Sequence, residues 1–297
     1  MKDFSELNYL DTSDAKNLEY MFFSCKLLSD ITPLKNWDIS HAINLKGMFF
    51  LCTSLSDIQL LKDWNVSNCK IIESMFFLCS SLSDITPLKD WIVANCKNLT
   101  SMFSGCSLLS DIIPLKKWNI SECLDFTNIF SNCTSLSDIT PLKDWNVSNS
   151  KNLRYFFSGC TLLSDITPLK DWNVSNCLVL NGMFSDCTSL SDITPLTNWE
   201  VSKTQYLREI FSGCKSLSDI TPLKEWNVSK CLDFTEMFYG CKLLSDVTPL
   251  KNWGVYGYSL DYMFGECTSL TDLKPLQNWY ALKNDKNRIK ALLNKKK

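Results

Sequence analysis

The 297-residue sequence contains a single histidine, His41, and no Cys-x-x-Cys motif. Ser-His-Asp and Cys-His catalytic sites, like His-Glu-x-x-His zinc sites, would all have to use that one imidazole, and no such motif surrounds it. Zinc ribbons and thioredoxin-like redox sites are excluded because their basic cysteine spacing is missing. We therefore expect a protein that is not an enzyme and that holds neither a metal ion nor a cofactor.

The chain also lacks an excess of charge of one sign and long apolar runs. Its 30 lysines and arginines face 32 acidic residues, and a net charge of −2 gives no field able to hold nucleic acid. No stretch approaches the roughly 18 apolar residues of a membrane span, and residues 1–10 carry acids where a signal peptide needs an apolar core. We expect no nucleic-acid partner, no membrane insertion and a cytoplasmic location, with non-classical export to the cell surface as the alternative.

What the sequence does contain is a repeat, hereafter a coil, whose length is the spacing from Trp37 to Trp64. Tryptophans and phenylalanines each recur at this spacing, shortened by a single position at the last step, and a cysteine follows each phenylalanine of the row by three positions. The rows are Trp37, Trp64, Trp91, Trp118, Trp145, Trp172, Trp199, Trp226, Trp253 and Trp279, and Phe22, Phe49, Phe76, Phe103, Phe130, Phe157, Phe184, Phe211, Phe238 and Phe264. Such spacing is typical of solenoids, in which each repeat packs on its neighbours.

Both aromatic rows are predicted to be core, because each large side chain buries much apolar area when coils stack. The central members are Trp91, Trp118, Trp145, Trp172, Trp199, Phe103, Phe130, Phe157 and Phe184. An exposed tryptophan row that stacks on carbohydrate is the alternative.

Each coil is predicted to contain two elements. In residues 67–79 (SNCKIIESMFFLC), apolar residues recur at three-and-four spacing behind a capping Ser67, which indicates a helix of about three turns or a looser run of turns. In residues 82–91 (LSDITPLKDW), β-branched residues precede Pro87, which suits a short strand that ends at the proline.

The combination of WNVSNCxNLxxMF with MFxxCxxLSDI resembles the BspA-like leucine-rich repeat surface proteins, in the branch whose repeats carry W-N-V-S and M-F-x-x-C. The resemblance covers about nine tenths of the chain. It implies an α/β, right-handed, leucine-rich-repeat-type solenoid of about ten 27-residue coils, each with a short strand and a short helix or turns. It also implies a non-catalytic scaffold for protein or cell-surface recognition.

An aspartate, a threonine two positions later and a lysine three beyond that recur along the coils. The candidate binding residues are Asp84, Thr86, Lys89, Asp111, Lys116, Asp138, Thr140, Lys143, Asp165, Thr167, Lys170, Asp192 and Thr194. Aligned carboxylates repel one another, so backbone N–H groups of the adjacent turn, the preceding serine or threonine, or the lysines five positions later must compensate them. We expect backbone hydrogen bonds, with a row of bound divalent cations as the functional alternative. A structural solenoid that organises metal ions or water on these rows is therefore the alternative to a recognition scaffold.

The segment between WNVS and MF varies from coil to coil, whereas the Asp-Thr-Lys segment is nearly uniform. The varied residues include Lys70, Glu73, Lys97, Asp125, Arg154, Gln205, Arg208 and Glu236, and they are predicted to face solvent on the helical side. The uniform residues are predicted to face solvent on the strand side. The resemblance favours the strand side for an unknown protein partner, because solenoids generally bind through an extended concave surface.

The predicted domain organisation is one solenoid over residues 1–279, of which residues 1–10 form a truncated first coil. Residues 280–297 are basic and carry a narrow apolar stripe, which indicates a capping helix or a localisation tail. Exposed ends make end-to-end self-association possible. The 15 cysteines are expected to be small buried apolar residues, with disulfides between coils as the alternative.

Overall fold

The computed structural model describes residues 4–255 and 259–279, together with Leu282 and Leu292. Over these residues the predicted repeat solenoid is confirmed, since successive coils are joined by parallel β-bridges of one residue each. The bridges are Asn17 to Asn44, Asn44 to Ile71, Ile71 to Asn98, Asn98 to Asp125, Asp125 to Asn152, Asn152 to Val179, Val179 to Tyr206, Tyr206 to Asp233 and Asp233 to Ser259. Longer strands do not occur in the part of the chain that the structure describes.

The other half of each coil contains a 3₁₀ helix. The helices span Ser5–Tyr9, Thr32–Leu34, Gln59–Asp63, Thr86–Leu88, Ile113–Leu115, Thr140–Leu142, Thr167–Leu169, Thr194–Leu196, Thr221–Leu223, Thr248–Leu250 and Lys274–Leu276. The predicted strand over residues 82–91 is therefore wrong. Asp84 Oδ1 accepts the Thr86 N–H at 2.8 Å, and Pro87 has no N–H to offer a neighbouring strand, so the backbone turns there.

The predicted three-turn helix over residues 67–79 is also wrong, and the looser run of turns is what the chain adopts. Ser74, Phe76 and Leu78 donate their N–H groups to carbonyls of the next coil at 2.7–3.0 Å. The N–H groups between them, those of Met75 and Phe77, instead donate to carbonyls three residues back at 3.1–3.3 Å. The backbone thus satisfies alternate N–H groups between coils and within the coil.

This alternation requires two left-handed residues in every coil. The first set is Tyr20, Gly47, Ser74, Ser101, Asn128, Tyr155, Gly182, Glu209, Glu236 and Tyr262, and the second is Ser24, Leu51, Leu78, Gly105, Asn132, Gly159, Asp186, Gly213, Gly240 and Glu266. Their φ angles lie between 52° and 77°. Most of these residues are not glycine, so the inter-coil hydrogen bonds and packing must outweigh about 1–2 kcal/mol of strain at each.

The core lies between the two halves of the coil. Rings of the phenylalanine row stack from coil to coil; those of Phe76, Phe103 and Phe130 are 5.8–5.9 Å apart and within 5° of parallel. The tryptophan ring of Trp118 lies 6.4 Å from that of Phe103. Trp91, Trp118, Trp145, Trp172 and Trp199 are each 4% exposed, and Phe103, Phe130, Phe157 and Phe184 are fully buried.

The indole N–H groups tie each coil to the preceding one. Trp145 Nε1 donates to the carbonyl oxygen of Leu115 at 3.1 Å, and eight other tryptophans make the equivalent bond to a carbonyl 29 or 30 residues earlier. These nine indole donors therefore have their acceptors in the adjacent coil, which fixes how the coils stack.

The two ends of the solenoid differ. At the first coil, Phe4 packs on Phe22 with ring centroids 6.0 Å apart. At the last coil, Leu282 and Leu292 are buried, and the Phe264 N–H donates to the Leu292 carbonyl at 2.9 Å. The rest of the predicted capping segment, residues 280–297, lies outside the described residues. Within the described residues, no helix has the length and apolar character needed to cross a membrane.

Replacing Trp145 with alanine should lower the free energy of unfolding by about 3–5 kcal/mol, because it leaves a cavity beside Phe126 and Phe130 and orphans the Leu115 carbonyl. Trp145→Phe keeps aromatic bulk and should lose about 1–2 kcal/mol. Urea denaturation of both variants measures the difference. A loss below about 1 kcal/mol for the alanine variant would show that the tryptophan row does not hold the coils together.

Candidate recognition surface

The candidate binding residues predicted from the sequence form one exposed surface, which we call the 3₁₀ face. Asp84, Thr86, Lys89, Asp111, Lys116, Asp138, Thr140, Lys143, Asp165, Thr167, Lys170, Asp192 and Thr194 are all exposed and lie at or beside the 3₁₀ helices. The structure thus places them together on a turn side of the solenoid and not on a strand side.

The aspartates of this face have a structural task. Asp138 Oδ1 accepts the Thr140 N–H at 2.8 Å, and Asp192 Oδ1 accepts the Thr194 N–H at 2.7 Å. Hydrogen bonds from the threonine side chain and backbone lower the pKa of both carboxyl groups. One oxygen of each carboxylate is therefore committed to the turn. No cluster of three or more histidine, cysteine or acidic side chains that would hold a metal ion occurs among the residues described.

The varied residues lie on the opposite side of the core, around the β-bridges. We call this surface the bridge face; it comprises the residues equivalent to Lys16, Asn17, Glu19, Tyr20, Phe23 and Ser24 of the first coil. Lys70, Glu73, Lys97, Asp125, Arg154, Gln205, Arg208 and Glu236 all occupy these positions. The sequence-based assignment of faces is therefore wrong. The varied residues lie around the β-bridges and not on a helical side, whereas the uniform residues lie at the 3₁₀ helices and not on a strand side.

A network of side chains spans the middle of the bridge face. The Tyr155 ring lies directly over Gly182, where any Cβ would overlap Cε1 of the ring. The Tyr155 hydroxyl reaches two coils along and donates to Glu209 Oε2 at 2.9 Å. Arg154 lies over the Tyr155 ring, 4.9 Å from its centroid. Arg208 Nε donates to Glu209 Oε1 at 2.8 Å.

The electrostatics of this network are shared between coils. Desolvation, followed by the hydrogen bond to Glu209, raises the pKa of Tyr155, so its hydroxyl stays protonated and remains a donor. The hydrogen bond to Glu209 also raises the pKa of Arg208. A second carboxylate, that of the buried Glu236, lies 3.8 Å from Arg208 Nη2. The network is therefore preorganised, with Arg154 exposed at its edge.

Beside the network is an open cleft of about 460 Å³. Asp186, Gly213, Gly240 and Glu266 occupy the same position in successive coils, the second of the two left-handed residues. The two glycines have no side chains to fill the space between Asp186 and Glu266, and they form the floor of the cleft. Tyr239 also lines it. The sequence analysis did not identify this cleft, although consecutive glycines at one repeat position were the available signal.

All but one of the cysteines are buried and pack inside the solenoid. All 15 are free, 14 are buried and Cys25 is half-buried. In nine of them Sγ donates to a phenylalanine carbonyl 29 or 30 residues earlier at 3.0–3.2 Å. Burial raises the pKa of Cys69, Cys96 and Cys123 to about 12. Because the thiolate is the reactive form, these thiols serve packing.

Comparison with known proteins gives a family and several structural neighbours. The family described as “Mycoplasma protein of unknown function, DUF285” matches residues 1–114, 84–191, 109–220, 135–253 and 179–293. Comparison with curated proteins finds no match. An internalin (inlF) from Listeria monocytogenes has a TM-score of 0.39 and 18% identity, covering 90% of this chain and 76% of that one. A leucine-rich repeat protein from Bacteroides ovatus has a TM-score of 0.32 and 14% identity, covering 96% and 82%.

In native protein at pH 8, Ellman's reagent should modify Cys25 quickly and the other 14 thiols only after unfolding, because their burial suppresses the thiolate. Cys25→Ser should abolish the fast phase, whereas Cys133→Ser should leave it unchanged. Several fast thiols in the native protein would contradict the burial of the row.

Gly105→Ala should destabilise the protein more than Gly240→Ala. Both glycines have φ above 70°, so each alanine is strained by about 1 kcal/mol. A Cβ at Gly105 would also overlap Cδ2 of Leu78 and lie 3.3 Å from its Cα, whereas at Gly240 the nearest atom is 3.8 Å away. We expect a further loss of about 1–2 kcal/mol at Gly105, measured by urea denaturation. Equal losses would show that the bridge face tolerates side chains at either position.

Proposed function

We propose that this protein, which belongs to the DUF285 family, is a non-catalytic recognition scaffold whose bridge face binds a protein partner. Its coils hold side chains of different chemistry at equivalent positions along one surface. We assign the protein to the leucine-rich-repeat type of solenoid, and within it to the BspA-like branch, from the sequence motifs described above.

One observation carries this proposal: the side chains vary far more from coil to coil on the bridge face than on the 3₁₀ face. The bridge residues themselves include asparagine, isoleucine, aspartate, valine, tyrosine and serine. The 3₁₀ face repeats Asp, Thr and Lys, and its carboxylates are engaged with their own turns. A selective partner requires a surface that differs from place to place, and the bridge face differs more than the nearly uniform 3₁₀ face.

The middle of the bridge face has the composition of a binding hot spot. Arg154, Tyr155 and Arg208 are residue types enriched where interfaces gain most of their energy. Tyr155 and Glu209 hold each other in place, so little side-chain freedom is lost on binding. The adjacent cleft, lined by Glu209, Tyr239 and Lys242, can receive a protruding side chain from the partner.

The absence of catalysis is part of the proposal. His41 is exposed beside Ser40, with Ser40 Oγ 3.3 Å from its Nδ1, and lies remote in sequence from the central network. Within the described residues, neither face gathers a nucleophile, a base and an oxyanion donor in one place. We also infer a reducing compartment from the unpaired thiols, with the cytoplasm as the expected location and export to the cell surface as the alternative.

The test compares two double variants that remove the same charge from opposite faces. Arg154→Thr with Arg208→Thr introduces the residue that the bridge face itself uses at Thr100, Thr127 and Thr235. Lys143→Thr with Lys170→Thr introduces the residue that the 3₁₀ face uses at Thr197. Quantitative affinity purification from a cell lysate of the source organism should show partner recovery reduced about tenfold or more by the first pair, a loss of roughly 1.4 kcal/mol or more, and unchanged by the second.

The reverse pattern would assign binding to the Asp-Thr-Lys rows and contradict the proposal. Equal recovery with both pairs, with thermal melting showing both folded, would also contradict it, since removing two arginines from the binding surface should weaken any specific complex there.

A further inference from the structure

The 3₁₀ face departs from its repeat at one coil. Ile113 stands at the position that Thr86 and Thr140 occupy in the coils on either side. Four positions later, Lys117 stands where nine other coils have an acid or an amide, namely Asn36, Asp63, Asp90, Asp144, Asp171, Asn198, Glu225, Asn252 and Asn278. An exposed apolar side chain and a reversal of charge therefore occur together in a single coil.

The turn itself does not account for Ile113. Asp111 Oδ1 accepts the Ile113 N–H at 2.8 Å, and Asp138 Oδ1 accepts the Thr140 N–H at the same distance. The Thr140 side chain adds a hydrogen bond to the Asp138 carboxylate, which an isoleucine cannot make. Ile113 is 62% exposed, so burial of apolar surface compensates little for that loss. Its side chain is thus available to a ligand.

The side chains of Ile113 and Lys117 line an open groove of about 310 Å³ between their own coil and the preceding one. Ile113 and Pro114 supply the apolar part of this groove. Pro114 is half-buried, whereas its equivalents in the adjacent coils, Pro87 and Pro141, are buried. An aliphatic side chain of a ligand can therefore lose its contact with water by packing on Ile113 and Pro114.

Lysines surround this apolar surface. Lys89, Lys116 and Lys117 line the groove and are exposed. Lys89 Nζ lies 3.8 Å from Asp90 Oδ2, and one oxygen of Asp111 is held by its own turn. Three lysines thus meet two carboxylates. Between the coils of Thr140 and Thr167 the balance is reversed, because the equivalent charged residues are Lys143, Asp144, Asp165, Lys170 and Asp171. The groove at Ile113 is therefore the more favourable of the two for an anion.

The size and chemistry of the groove suit a single amino-acid residue. Its volume of about 310 Å³ lies at the lower end of the roughly 300–1,000 Å³ found for small-ligand sites. One residue presents an aliphatic side chain and a carboxylate together when it is the last residue of a chain. Nucleic acids offer negative charge without an aliphatic group. A long-chain fatty acid offers both, but its chain requires more apolar surface than Ile113 and Pro114 provide.

We propose that this groove, hereafter the carboxylate groove, binds the C-terminal residue of a protein partner. The aliphatic side chain of that residue packs on Ile113 and Pro114, and its free carboxylate pairs with Lys116 and Lys117. Capture of a terminal carboxylate is a recurring mode of peptide recognition. The carboxylate groove lies on the 3₁₀ face, so it is a second site that does not depend on binding at the bridge face.

The probe is a fluorescein-labelled pentapeptide that ends in leucine with a free carboxylate, and fluorescence anisotropy measures its binding to the full chain. Amidation of the C-terminus, or replacement of the leucine by glycine, should weaken binding about tenfold or more. An amidated peptide with an internal leucine-aspartate pair tests a side-chain carboxylate, and unlabelled laurate tests a fatty acid. Each should bind at least about tenfold more weakly than the free peptide.

Ile113→Thr with Lys117→Asp restores the residues of the neighbouring coils and should weaken binding of the free peptide about tenfold or more. The matched control is Ile92→Asn with Lys230→Glu. It removes an isoleucine that is 61% exposed and makes the same change of charge outside the groove. The control should bind within about twofold of the parent chain. Its new residues are those that the chain uses at the same repeat positions, Asn119 and Glu122.

A transplanted groove tests whether the lining residues are sufficient. In the restored variant, Thr167→Ile with Asp171→Lys builds the same set of lining residues two coils further along. The other members are already present there, namely Thr140, Lys143, Asp144, Asp165, Pro168 and Lys170. Binding of the free peptide should return to within about threefold of the parent chain.

The bridge-face pair Arg154→Thr with Arg208→Thr should leave peptide binding unchanged, which separates this proposal from the function proposed above. A loss with that pair would place the peptide on the bridge face and overturn the proposal. Equal binding of the free and amidated peptides, tighter binding of laurate or of the internal carboxylate, an equal loss with the matched control, or no recovery in the transplanted variant would each overturn it as well.

Discussion

The alternation of backbone hydrogen bonds is the constraint on which this structure depends. In the bridge half of each coil, one N–H group donates to the next coil and the following one donates within its own turn, so neighbouring coils are joined without a conventional strand. The pattern places two residues per coil in the left-handed region, including Leu51, Leu78 and Glu236. The bonds between coils and the aromatic rows beneath them must stabilise a backbone that these side chains disfavour by themselves.

The repeat and its buried aromatic rows follow from spacing alone, because a fixed period leaves few ways to bury ten tryptophans. The local elements do not. Apolar residues three apart, as in Leu82, Ile85 and Leu88, are compatible with a 3₁₀ turn as well as with a strand before proline. The segment from Ser67 to Cys79 has apolar residues at helical spacing although it forms no helix. Its turns are closed by hydrogen bonds to the carbonyl three residues back, and such turns place apolar side chains at nearly the same spacing as a helix. Nothing in Leu78 signals a positive φ.

Only part of the candidate surface could be predicted, because the local elements that position its residues could not be derived from the sequence. Comparing the coils of one chain identifies Arg154, Arg208 and Glu236 as varied, but assigning them to a face requires the elements to be right. The contacts between Tyr155 and Glu209 join residues 54 positions apart, and only the stacking of coils brings them together. The recurrence of the aspartates in the sequence is compatible with candidate binding residues and with a structural role in which backbone N–H groups hold the carboxylates. The hydrogen bond from the Thr86 N–H to Asp84 Oδ1, repeated from coil to coil, supports the structural role.

Because the interior of each coil contacts only an interior like itself, a coil is close to interchangeable as a unit, as the parallel phenylalanine rings from Phe76 to Phe130 illustrate. Duplication or loss of one whole repeat in the middle of the gene would shift every later side chain one step along the rod while leaving its immediate surroundings nearly unchanged. The spacing between two side chains of the bridge face can therefore change in whole steps, while the core between the coils stays the same.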